Sequence, residues 1–233
     1  MLGSPFLAGI LALVLTVASA RSAKAQEVDD QKVDETMDLA VCAPSGGEFT
    51  LTSTNPYFPM AVGSKWILEG GDERVEITVL DETEVVAGVT TRVIEEREWE
   101  DTELVEVSRN FFAQASDGTV CYFGEDVDIY ENGEIIAREG EWRADAPGSR
   151  PGIIMPADPG PGTKFQMEVA PGKAEDTGEI VEVGGSVEVP AGTFTETIRL
   201  REYNPVADED ECCKVYAAGV GILIDEDLEL VSH

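Results

Sequence analysis

The chain has 233 residues, with 16 basic side chains against 47 acidic ones and a formal net charge of −31. Such a field repels nucleic acid and anionic membranes, so partners of those kinds are not expected. Apolar residues make up 42% of the chain, enough for a sizeable core, so the charge does not imply disorder.

Leu7–Ala18 is almost wholly apolar, and Ala23-Lys24-Ala25 follows it. This reads as a secretory signal with a small-x-small cleavage site after Ala25. The run is short for a bilayer span, which needs about 20 residues. Met1–Pro5 lacks Lys and Arg, and Cys42 is too distant to accept a lipid. The expected product is a released protein, secreted or periplasmic, with no stable membrane insertion. Losing Arg21 and Lys24 makes it more acidic still. The expected organisation is a signal peptide over 1–25, an N-terminal arm or linker over 26–54, and one β domain over 55–233. Within the arm, Asp30–Val41 is read as a short helix.

From Asn55 onward the chain reads as strands rich in Val, Ile, Thr and Trp. The first group is Lys65–Glu69, Arg74–Leu80, Thr90–Trp99, Glu103–Gln114, Val120–Phe123, Val127–Tyr130 and Glu134–Arg138. Asn132-Gly133 between the last two is a strong hairpin signal of the primed-turn type. The second group is Lys164–Val169, Glu179–Val189, Thr193–Tyr203, Lys214–Ala217 and Gly221–Leu230. No later segment has a helical period of useful length. Consecutive strands at short spacing predict an all-β fold: an antiparallel meander forming a strongly curved sheet or an up-and-down, partly open barrel.

Between the groups, Ala146–Gly162 holds five prolines around the apolar Ile153-Ile154-Met155. Three consecutive apolar side chains seek cover. The segment reads as a plug on the core or barrel end, or as a lid over a ligand cavity.

The four cysteines, Cys42, Cys121, Cys212 and Cys213, are even in number and suit disulfides in an exported chain. The favoured pairing ties Cys42 to one of Cys212 and Cys213, with Cys121 taking the other. The only histidine is the terminal His233, a position that usually frays. Its place argues against Ser-His-Asp, Cys-His and multi-His metal chemistry. No cofactor motif is present.

Three constellations carry candidate chemistry. A two-residue turn at Asp101-Thr102 places Arg97 opposite Glu106, Glu95 opposite Ser108 and Val93 opposite Asn110, with Trp99 and Leu104 beside them. Facing outward, this lane is a solvated set of cross-strand charge pairs. Facing into a barrel, it makes Glu95 and Glu106 an acid/base pair, with Arg97 holding an anionic intermediate. A register error of one residue exchanges the faces. Second, Asp208-Glu209-Asp210-Glu211 is the densest acidic run, a hydrated loop or a weak candidate for divalent or trivalent cations. Third, Asn55-Pro56-Tyr57-Phe58-Pro59 holds an aromatic pair extended between prolines, as a staple on the core or a stacking surface for a ligand. A partial calcium-loop pattern on Asp128, Asn132, Gly133 and Glu139 has Tyr130 where an oxygen ligand belongs, so the hairpin reading prevails.

Asn55–Pro59 with Gly63 and Trp66, Tyr122-Phe123-Gly124-Glu125-Asp126, Pro151–Pro156 and Gly219-Val220-Gly221 resemble a group of exported bacterial proteins of unassigned function. The resemblance covers most of Asn55–Leu230. It implies an exported bacterial setting and a single β domain, and no activity.

The leading expectation is an exported soluble binding protein. It holds a small apolar or amphipathic ligand in a β-barrel-like cavity near Tyr57, Phe58, Trp99, Ser108, Asn110, Ile153, Ile154 and Met155. The alternatives are a lyase or isomerase using barrel-interior Glu95, Arg97 and Glu106, and a carboxylate-based cation binder.

Overall fold

The computed structural model describes residues 36–138, 140–204 and 213–233. The expected signal segment, most of the expected Asp30–Val41 helix, Glu139, Asp208–Glu211 and Cys212 lie outside the described residues.

Fifteen strands are described. Short β1 (Phe49–Thr50) precedes β2 (Lys65–Gly70), β3 (Glu73–Val86), β4 (Val89–Glu100), β5 (Glu103–Ala115), β6 (Val120–Glu131) and β7 (Glu134–Ala137). Then come β8 (Trp142–Arg143), β9 (Gly152–Met155), β10 (Lys164–Gln166), β11 (Thr177–Val189) and β12 (Gly192–Tyr203). The last three are β13 (Lys214–Ala217), β14 (Gly221–Asp225) and β15 (Leu228–Ser232). The sheet is an antiparallel meander in the order β10-β11-β12-β13-β14-β15-β2-β3-β4-β5-β6-β7. Pairing of β15 with β2 joins the two groups of strands. The sheet is not closed by a continuous ladder. Near its ends, one isolated bridge links Arg150 to Val169. At this approach Gly152 sits against the Met167 carbonyl, and a Cβ there would overlap it.

The predicted elements differ from the observed ones in three instructive ways. Val120–Phe123 and Val127–Tyr130 are one strand, β6, because Gly124 carries the chain through at φ +138°. Gly221–Leu230 is two strands, β14 and β15, because the chain turns at Glu226-Asp227. The proline-bounded Ile153–Met155 segment packs on the core, as the plug reading expects, but as strand β9 rather than an irregular loop, paired to β6 through Val120–Met155 and Cys121–Ile153. The turn at Asn132-Gly133 has φ of 52° and 79°, the primed geometry expected of this hairpin.

The arm packs on the body. Leu39–Cys42 is a single 3-10 turn, and β1 pairs with β5. Cys42 is bonded to Cys121, which corrects the favoured pairing with Cys212 or Cys213. The expectation failed because sequence separation alone does not tell which cysteine lies under the arm. Cys213 is also disulfide-bonded. Phe49 meets Phe123 edge-to-face at 5.5 Å. Cys121 and Phe123 alternate with Tyr122 along β6, so the arm covers the face opposite Tyr122. That is why β6 is buried on both sides over Val120–Gly124. His233 is held by an edge contact with Phe194 at 5.9 Å, rather than hanging free.

Candidate functional site

The inner face of the curved sheet encloses a cavity of about 330 Å3. Its position follows from the β4–β5 hairpin. A bulge between Glu98 and Trp99 shifts the register by one residue beyond the turn. Glu98 therefore pairs with Glu106, Glu96 with Ser108 and Ile94 with Asn110. These side chains share one face and line the cavity.

The shift corrects the predicted lane. Arg97 stands opposite Val107, and Glu95 opposite Arg109. Glu95 and Arg97 are on the other face, where Glu95 accepts hydrogen bonds from Arg97 Nε at 2.7 Å and Arg109 at 2.9 Å. Neither lines the cavity. Of the three proposed catalytic groups only Glu106 does. Glu96 and Glu98 take the place expected for Glu95, and the sequence carried only the alternation, not the bulge.

The other candidates divide similarly. Tyr57, Phe58, Ser108, Asn110 and Ile154 line the cavity. Ile153 and Met155 alternate away from Ile154 and are fully buried in the core. Trp99 lies beyond the cavity beside Arg74, whose guanidinium sits 5.9 Å from its ring. Trp99 borders a second recess of about 660 Å3 at the turn end of the sheet, which shares Glu96, Glu98, Lys214 and Asp225 with the first.

The β5 side of the cavity has a chemical gradient. Along β5 the lining runs from Glu106 near the turn through Ser108 and Asn110 to Phe112. Phe112 stacks on Tyr122 at 4.7 Å and meets Phe58 edge-on at 5.1 Å. Trp66 joins this aromatic end and donates its Nε1–H to the Val220 carbonyl at 2.8 Å. Tyr122 Oη lies 2.5 Å from Asn110 Oδ1 and 3.0 Å from Glu125 Oε2. Asn110 in turn donates to Ser108 Oγ at 3.0 Å, so a polar chain links the aromatic end to the acidic one.

The segments that carried the family resemblance converge here. Asn55, 5% exposed, donates to the carbonyls of Pro156 at 2.8 Å and Gly118 at 3.2 Å, and accepts the Tyr57 N–H. Gly219 N–H donates to the Pro56 carbonyl at 2.7 Å. Tyr57, Phe58, Tyr122, Glu125, Ile154 and Gly221 all border the cavity.

Among the described residues, eight carboxyl groups and one amine line this space. Lys214 Nζ lies 3.3 Å from Glu202 and 3.4 Å from Asp225. Burial opposes its charge, but these two carboxylates outweigh burial and hold the amine well above its ordinary value. It is therefore a fixed cation and not a nucleophile at neutral pH. The carboxyls move the other way. Burial, reinforced by Asp225, pushes Glu96 up to about 8. Burial and the facing Glu106 push Glu98 up to about 7. Glu125 rises to about 7 through burial, against the Tyr122 hydrogen bond that favours its charged form. Glu168 rises to about 9 through burial and the neighbouring Glu125 and Asp176. Glu106 and Glu202 are raised chiefly by burial. Lys214, Glu168, Asp176 and Glu202 were not foreseen. Glu202 and Lys214 come from β12 and β13, and Glu168 and Asp176 from the segment between β10 and β11, all distant in sequence from β4 and β5, and no local pattern marks them.

Among the described residues, no group of three or more His, Cys, Asp or Glu side chains is arranged to hold a metal ion. No described helix is long and apolar enough to cross a membrane. Comparison with protein-family models, curated proteins and solved structures finds no match.

Proposed function

We propose that this chain is an exported binding protein that holds a small amphipathic ligand inside the curved sheet. The observation that carries the reading is the lined cavity, whose wall sets the Phe58, Phe112 and Tyr122 rings beside carboxyl groups. Such a mixed wall suits a molecule with an apolar body and a polar head. Export is supported by the apolar Leu7–Ala18 run and the Ala23-Lys24-Ala25 site. Native mass spectrometry of the protein secreted by its own host tests the reading. A retained small organic molecule, lost from a cavity-filling Ser108→Phe variant, is the expected result. An empty wild-type protein of the mature mass would sink it.

A second reading is favoured by one observation: Glu98 faces Glu106 across the β4–β5 pair, with Glu96 beside them and raised toward neutrality. Carboxyls tuned to about 7 or 8 are suited to general acid/base work in a lyase or isomerase. In that reading Glu96, Glu98 and Glu106 replace the expected Glu95–Glu106 pair. Arg97 is outside the cavity and has no part in it. Glu98→Gln would abolish turnover of the retained molecule while leaving its binding within about threefold.

A further inference from the structure

We infer that the cavity selects a small organic cation, an ammonium held among Glu96, Glu202 and Asp225 with an apolar body lying against Phe58 and Phe112. The inference rests on the binding reading above and names its ligand class.

Three observations point the same way. The first is charge: among the described residues eight carboxyl groups face one amine, and that amine is already shared by Glu202 and Asp225. A further cation supplies the opposite charge that these half-buried carboxyls lack and favours their ionised form, whereas an anion would meet more carboxyls than cations.

The second is unmet hydrogen bonding. Tyr216 is 5% exposed and lies on the cavity face two residues after Lys214. Its hydroxyl makes no hydrogen bond among the described residues. Glu202 Oε1 is buried with no partner among them. A buried acceptor left in this state costs stability, and a donor entering the cavity relieves the cost while the Tyr216 hydroxyl is free to bond it. An ammonium brings three such donors, and its bonds to carboxylates are charge-assisted.

The third favours an organic over an inorganic cation. A hard metal needs several oxygens converging within about 2.0–2.6 Å. The described carboxyls are spread around the wall and no three of them converge in this way. An organic cation tolerates that spread, because its N–H groups diverge and its body fills the remaining space. The adjoining Phe58, Phe112 and Tyr122 rings supply an apolar wall with electron-rich faces.

The test is calorimetric titration of the full secreted chain at neutral pH and moderate salt. The probes are primary amines with alkyl, phenyl or indolyl bodies, each with its matched alcohol and carboxylate. One set is phenethylamine, phenethyl alcohol and phenylacetate. At least one amine should bind about tenfold or more tighter than its alcohol, and the carboxylate should bind more weakly still. Glu202→Gln and Tyr216→Phe should each weaken that amine several-fold while leaving the alcohol unchanged. Asp225 still pairs with Lys214 when Glu202 is replaced by Gln, and Tyr216→Phe removes a single hydroxyl, so both variants are expected to fold.

Alcohols or carboxylates that bind as tightly as the amines would overturn the cation inference while leaving the binding reading intact. The cation inference also falls, and again alone, if both variants keep full amine affinity, or if calcium raises Tm and no amine does. Should no probe bind, the inference falls, and the binding reading is then decided separately by the mass spectrometry.

Discussion

Asn55 does three jobs with one side chain. It ties the aromatic Tyr57-Phe58 pair, the turn before β6 and the end of β9 to one point. Asn55→Ala leaves two carbonyls and one N–H unpartnered in a buried place. It should cost roughly 2–4 kcal/mol in denaturant unfolding, and a loss under about 0.5 kcal/mol would show that the hub is unimportant. Glu96 gives a prediction with a definite sign. Its folded value of about 8 stands above the ordinary 4.5, so its neutral form favours the fold. That stability is full below about pH 4.5 and is lost as pH rises through about 8. Unfolding free energy should therefore fall between about pH 5 and pH 9. Glu96→Gln should flatten the fall by about 2–4 kcal/mol, given about 1.4 kcal/mol for each unit of displacement. An unchanged slope in the variant would contradict the burial assigned to this side chain. Glu96 was not legible as an interior residue, since nothing in the text of β4 announces the bulge beside Trp99.

At the scale of elements, two devices decide the architecture. Gly124 allows β6 to continue while β8 approaches it through the Gly124–Arg143 pair. A Cβ at this position would overlap the Trp142 carbonyl, and φ is +138°. Gly124→Ala should lower stability by roughly 2–4 kcal/mol, read as the shift in denaturation midpoint. The Cys42–Cys121 bond is the second device, closing a span of 79 residues. Replacing both cysteines with Ser should cost roughly 2–4 kcal/mol. It should also expose the arm to protease before the body unfolds. Simultaneous cleavage of arm and body would show that β1 and the Phe49–Phe123 contact hold the arm unaided. The strands themselves were legible from alternation and turn residues. The missing ones, β1, β8 and β9, have two to four residues each and exist only because β5 and β6 offer a partner.

For the whole molecule, the dominant fact is 47 acidic side chains against 16 basic ones. Self-repulsion of that size weakens as salt shortens the screening length from about 30 Å at 0.01 M to about 3 Å at 1 M. Tm should rise by several degrees over that range, and a flat profile would mean that the surface pairs already neutralise the field. The described surface shows how partial that neutralisation is. Arg74, Arg138 and Arg143 each reach one or two carboxylates, and exposed pairs of this kind contribute little individually.

The amino-acid text by itself determined the periodicity. Residues alternating in and out, separated by turn-forming pairs, can bury an apolar face only as an antiparallel meander. Composition likewise set the acidic character of every surface it makes. The tertiary structure alone decided which acidic groups turn inward, because a one-residue bulge at Glu98–Trp99 exchanges the two faces of the hairpin. It also decided which cysteine receives Cys42 and how Lys214 comes to stand among carboxyls from several strands. Those outcomes depend on long-range pairing, whose free energy is summed over the whole sheet and is not encoded at any single position along the chain.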